Sequence, residues 1–282
     1  MSAPTPEDSS STFVIQHLAS STVCCFLILF LAPAFAQDSP RRDDPISLQR
    51  LLAEGDQLSE VLFDQEGALG KYTEALLLAP DDYEILRRIS RTYVAIADHL
   101  KAQTDEEKHH QLELYKRALE CANKAIDVNP NGTSGYTWRA VANGRIALFE
   151  IGWTSITLAK QMKMDLEKAL AIDPANDLAW YVLGRTHLKV SEWPKLLRWP
   201  VGMAWANLED AIQHFEKAIS VRPDFIMYHL DCARAYIASG KYDKARKHLL
   251  FIQTMPDKWE GDENFRAEAK ELFEKLKQED KK

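Results

Sequence analysis

Residues 167–184 read "EKALAIDPANDLAWYVLG", and the reading of this stretch decides the fold. A run of small and apolar residues at helical spacing stops at Asp173-Pro174, and a second apolar pattern starts after it with Trp180. Three other segments repeat the junction: "YTEALLLAPDDYEIL" at 72–86, "ANKAIDVNPNGTSGY" at 122–136 and "FEKAISVRPDFIMYH" at 215–229. Pro80, Pro130, Pro174 and Pro223 each stand five residues after an alanine, namely Ala75, Ala125, Ala169 and Ala218. Proline has no N–H to continue a helix and clashes with the preceding turn, so each junction reads as a helix end, a turn and a new helix. The recurring alanine marks a place where two helices must approach closely.

The pattern extends both ways. Ala68, Ala118, Met162 and Ala211 lie seven residues before those alanines, and Leu86, Trp180 and His229 six residues after the prolines. Trp180-x-x-Leu183-Gly184 followed by His187, and Ala211-x-x-x-Phe215 with Ala218 and Pro223, resemble the tetratricopeptide repeat, W-x-x-L-G-x-x-Y, then A-x-x-x-F, then P. His187 replaces the expected tyrosine, which Tyr93 and Tyr236 supply elsewhere. The expected fold is all-α: a tetratricopeptide-repeat α-solenoid of about five antiparallel helix pairs with long inserts. A polar capping helix from Asn264 to Lys277 closes its end, because a helix pair cannot bury its apolar stripe without a neighbour.

Successive prolines are 50, 44 and 49 residues apart, against a period of about 34 for the simple repeat. Inserts therefore lie between the helices of a pair: "HLKAQTDEEKHHQLE", the surroundings of "FEIGWTSITLAKQ", and "SEWPKLLRWPVGMAWAN". Together with "YTWRAVANG" and "LGRTHLKVSEW", this placement resembles the regulator of microtubule dynamics family over about residues 50–278. The resemblance implies a non-enzymatic protein; eukaryotic members associate with microtubules or organelle membranes.

The 282-residue chain is 46% hydrophobic and carries a formal charge of −7, the composition of a globular protein and not of a general nucleic-acid binder, which needs a basic face. "STVCCFLILFLAPAFAQ" ends in Ala34-Phe35-Ala36, the small-x-small pattern of an export signal. The expectation is a signal peptide over 1–36, a linker over 37–46 and the repeat domain over 47–282, giving a periplasmic or secreted protein after cleavage between Ala36 and Gln37. Glu7 and Asp8, with no Lys or Arg before the run, depart from a positively charged start; the alternative is an uncleaved membrane anchor. A signal of this style looks bacterial. Cleavage leaves Cys121 and Cys232, read as buried thiols, and no metal or cofactor is expected.

In such a stack the first helix of each pair lines the concave side, where a partner binds. Two positions beyond the buried Ile89, Leu183 and Cys232 come Arg91, Arg185 and Arg234. In the remaining repeat either Trp138 and Val141 are the buried pair, which points Asn143 into the groove, or Tyr136 and Arg139 are, which points Val141 there. Trp138 is preferred, because burying Arg139 without a carboxylate is costly. Arg87, Tyr181 and Lys189 fall on the same stripe, and guanidinium forks suit carboxylates. The groove is thus a candidate site for another protein or an acidic peptide, with the competing reading that these arginines pair with glutamates of adjacent helices. Trp193, Trp199 and Trp205 form a candidate apolar lip for membrane or lipid contact, or a plug for their own hairpin. His109-His110 reads as solvated surface, and His187, His214, His229 and His248 as packing residues with satisfied nitrogens. The expected function is an adaptor or scaffold, monomeric or weakly oligomeric, with a lipid or amphiphile binder or a structural subunit of an envelope complex as alternatives.

Overall fold

In a computed structural model, described here for residues 45–279, the four proline junctions share one geometry. The residue before each proline (Ala79, Asn129, Asp173, Arg222) is extended, with φ of −135°, −136°, −133° and −129°. Proline sterically forbids the helical conformation to its predecessor, and this is the conformation left. The N–H of that residue still donates to the carbonyl of Ala75, Ala125, Ala169 or Ala218 at 2.9–3.0 Å, closing the last turn. The next helix then opens on a side-chain cap in two cases: Asp82 Oδ1 accepts from the Ile85 N–H at 3.0 Å, and Asn176 Oδ1 from the Ala179 N–H at 2.9 Å.

Twelve helices and no strand are found among the described residues. They are α1 (Pro45–Glu60), α2 (Gln65–Leu78), α3 (Tyr83–His99), α4 (Asp105–Val128), α5 (Thr133–Ile146) and α6 (Trp153–Ile172). There follow α7 (Asp177–Ser191), the short α8 (Lys195–Arg198), α9 (Leu208–Val221), α10 (Ile226–Ala238), α11 (Tyr242–Ile252) and α12 (Asp262–Glu279). The antiparallel pairs are α1/α2, α3/α4, α5/α6, α7/α9 and α10/α11, with α12 covering the last of them. This is the all-α tetratricopeptide solenoid. The expected signal peptide over 1–36 lies outside the described residues. The first helix begins at Pro45, inside the stretch expected as linker, and the capping helix extends two residues beyond its expected bounds at either end.

The junction alanines and three of the four residues seven before them have no exposed surface, and Met162 retains 9%. Gly184 sits where α7 crosses α9: a Cβ there would meet the Phe215 ring at 2.9 Å and the Ala211 carbonyl at 3.2 Å. Ser90, Ala140 and Ala233 occupy the same place in their helices, fully buried. The aromatic six residues past the proline has a second task. Trp180 Nε1 donates to the Pro174 carbonyl at 2.9 Å, the Tyr136 hydroxyl to that of Pro130 at 3.2 Å, and His229 Nε2 to that of Pro223 at 2.9 Å. Each satisfies a proline carbonyl in the turn between two helices. The charged insert lengthens α4 to 24 residues, opened by a capping box between Thr104 and Glu107.

Candidate functional site

Successive first helices α3, α5, α7, α10 and finally α12 touch one another, so they form the inner side of the stack. The row curls far enough for His99, at the end of α3, to lie 3.2 Å from Glu260, just before α12. Arg87, Arg91 and Lys189 stand on this row with their charges met. Arg91 donates to Glu60 and Ser59 of α1 at 2.8 and 2.9 Å, and Arg87 to Glu84 of its own helix at 2.7 Å. Lys189 is tied at 2.7 Å to Glu192. Arg145 pairs with Asp98 of α3 at 2.6 Å.

The densest part of the row is centred on Asp231, whose side chain is 5% exposed. Its carboxylate receives the Tyr181 hydroxyl at 2.7 Å, the Arg234 guanidinium, and Arg185 at 3.6 Å. Burial pushes the Tyr181 hydroxyl well above the ordinary tyrosine range, so it remains a neutral donor. Arg234 reaches on to Glu268 of α12, whereas the Arg185 guanidinium donates to nothing closer than the Tyr181 oxygen at 3.2 Å and stays 47% exposed. One carboxylate serving three donors leaves Arg185 without a close carboxylate of its own.

Asn143 is a correction. It is 3% exposed and holds the place that Tyr93, His187 and Tyr236 hold in their repeats. The third repeat follows the register of Tyr136 and Arg139, with Val141 at the position equivalent to Arg91. Preferring Trp138 rested on the cost of burying Arg139 alone, but Arg139 is not alone: it grips the 3%-exposed Asp165 of α6 with two bonds of 2.8 and 2.6 Å. A carboxylate four residues before Ala169, on the otherwise apolar stripe of Met162, Leu166 and Ala169, was the signal for it.

The tryptophan insert divides between the two readings. Arg198 is buried and pins it, donating to the carbonyls of Trp193 (2.8 Å) and Ala206. Met203 and Ala206 are buried, and Trp205 packs edge-on against His187 at 5.0 Å. Trp193 and Trp199 remain 45% and 74% exposed beside the exposed Leu196 and Leu197. His229 and His248 have hydrogen-bonded nitrogens as expected, while His214 is held by ring contacts. Because a carbonyl only accepts, His229 Nε2 carries the proton to Pro223, its Nδ1 accepts from His248 Nδ1 at 3.1 Å, and Cys232 Sγ lies 3.7 Å from His248 Nε2. His214 stacks on Trp180 at 5.4 Å. His187 departs from the expectation: its buried Nδ1 has no hydrogen-bond partner in the chain. Cys232 is buried and Cys121 half-buried, its thiol pushed up to about 11 by burial. Among the described residues no cluster of His, Cys, Asp and Glu is arranged to hold a metal, and no helix is long and apolar enough to cross a membrane.

Comparison with known proteins agrees with this architecture. The chain is 26% identical over 199 residues to regulator of microtubule dynamics protein 1 of Bos taurus, covering 68% of this chain and 62% of that one. It is also 26% identical over 198 residues to regulator of microtubule dynamics protein 3 of Mus musculus, covering 67% and 40%. The chain thus spans between two fifths and about three fifths of the length of these relatives. TTC0263, a thermophilic tetratricopeptide protein of Thermus thermophilus, superposes with a TM-score of 0.58 at 19% identity, over 79% of this chain and 97% of its own, which shows the shared fold. The family profile described as regulator of microtubule dynamics protein 1-3 matches residues 51–277, and the chain belongs to that family.

Proposed function

We propose that the protein is a non-enzymatic adaptor that receives an acidic segment of a partner protein on the inner row of first helices. The observation that carries the reading is Arg185: half-exposed, held over the Tyr181 ring at 5.8 Å, and sharing its one close carboxylate with Tyr181 and Arg234. A partner carboxylate would give its fork the bidentate acceptor that Asp231 does not supply. Titration of the full chain with a library of short acidic peptides and their amidated counterparts tests this. The expected outcome is a preference for the acidic forms that drops about tenfold in Arg185→Gln, the order of one charge-assisted hydrogen bond, with helicity unchanged. Equal binding by the variant would sink the reading.

A second reading rests on Trp193 and Trp199, whose exposure on the insert suits an interfacial lipid contact. Co-sedimentation with phosphatidylcholine–phosphatidylglycerol vesicles, lost in Trp193→Ser/Trp199→Ser, is its expected sign. Export with cleavage between Ala36 and Gln37 completes the proposal; N-terminal mass spectrometry of the protein from its own cells checks it, and an intact Met1 contradicts it.

A further inference from the structure

The outer side of the stack carries a cleft unrelated to the inner row. It lies where α6 and α9 flank α7, beneath the end of the tryptophan insert, and is an open depression of about 570 Å³. Trp180 and Trp205 form its walls, His187 and His214 meet at 4.9 Å on its floor, and Lys163, Glu167 and Asp210 stand at its rim. One lysine against two carboxylates leaves the cleft with a net negative charge.

Half of this arrangement is already occupied by the chain itself. The Lys163 ammonium lies 5.6 Å from the centre of the Trp205 ring and pairs with Glu167, so this wall holds a cation by ring and carboxylate together. The other half has the same parts without the cation. Asp210 is 45% exposed and receives only the Asn207 amide at 2.8 Å and, at 3.8 Å, faces His187 Nδ1. That nitrogen belongs to a side chain 5% exposed, lining the cleft, with no hydrogen-bond partner. Burial and the neighbouring His214 hold His187 at a pKa of about 4, so at neutral pH the ring is uncharged and does not repel a cation. A cation that donates to Asp210 from the open cleft repeats the pairing of Lys163 with ring and carboxylate, and brings the cleft to neutrality.

We propose that this cleft binds the guanidinium or alkylammonium end of a basic group, held on the Asp210 carboxylate against the rings of Trp180 and Trp205. Planar N–H donors match a carboxylate, and the aromatic walls favour a weakly hydrated cation. The site is independent of the inner row.

Calorimetric titration of the full chain with N-acetyl-arginine-amide, and with its uncharged isostere N-acetyl-citrulline-amide, tests the proposal. Saturable binding of the arginine compound at least tenfold tighter than the citrulline compound is expected, weakened at least tenfold in Asp210→Asn and unchanged in Arg185→Gln. Circular dichroism reports whether Asp210→Asn keeps its helices; if it does not, Trp205→Leu takes its place with the same expected loss. A short peptide with a central arginine separates the sources: tighter binding than the free amide assigns the cation to a protein partner, and equal binding assigns it to a small molecule, the cation site standing in both cases. Equal affinity for the citrulline compound, unchanged affinity in a folded cleft variant, or no binding of either arginine probe overturns it.

Discussion

The two edges of the stack are built on opposite principles. At the proline edge four connections share one backbone path, with the same extended residue, the same bond to an alanine carbonyl and, in three of them, the same ring donor on the proline carbonyl. At the other edge the connections within pairs share nothing. They expose Val61 and Leu62 in one, Leu148, Ile151 and Trp153 in another, and Trp193, Leu196, Leu197 and Trp199 in a third. The uniform edge sets the distance between repeats and tolerates little. The irregular edge is free of that duty, and one of its inserts reaches back to shape the cleft at Trp205.

Acid gives the largest test of this contrast, because the buried histidines link both sides: His229 is bonded at the proline edge and His187 packs under the insert. His187 and His248 sit at about 4, lowered first by burial, and His214 and His229 are lowered for the same reason. The unfolded chain takes up these protons near pH 6.5, and the folded chain takes up those of His187 and His248 only near 4, so stability is full above about 6.5 and falls as the pH drops below it. A loss of about 1–2 kcal/mol from each of His187 and His248 is expected by pH 5, read as a lower Tm than at pH 7.5. A Tm flat over that range would falsify the account.

Ala169→Leu strikes the proline edge directly. The site has no free surface, so overpacking is expected to cost about 1–3 kcal/mol in urea unfolding. An unchanged midpoint would mean that helix spacing is not set there. Trp180→Phe keeps the ring but removes the donor from the Pro174 carbonyl, for a loss of about 1 kcal/mol; the same measurement reads it, and a neutral result would reduce the shared ring donor to packing. Trp199→Ser, on the irregular edge, is expected to stay within about 0.5 kcal/mol of the parent. A larger loss would show that the insert supports the repeats after all.

Much of this was legible in the residues. The spacing of Ala169, Pro174, Trp180 and Gly184, and its copies, dictates helix ends, close crossings and stacking, because proline and small side chains act through local sterics that need no knowledge of neighbours. The placement of the inserts followed from the same spacing, and with a few tryptophans it carried the family resemblance. The inner stripe was legible only as a set of positions. Whether Arg91, Arg185 and Arg234 are free depends on Glu60, Asp231 and Glu268, which other helices bring to them. The third repeat was misread for the same reason: the cost of burying Arg139 is a local fact, but its remedy, Asp165, is 26 residues away and meets it only once α5 and α6 pack. The cleft is the extreme case. Lys163, His187, Trp205 and Asp210 come from three helices and an insert, with no spacing that joins them. The sequence by itself determined where the helices stop and how closely they cross, since those are short-range steric matters. Only the tertiary structure decided which charges are met and which nitrogen is left without a partner, since electrostatic satisfaction depends on what the fold places within hydrogen-bonding reach.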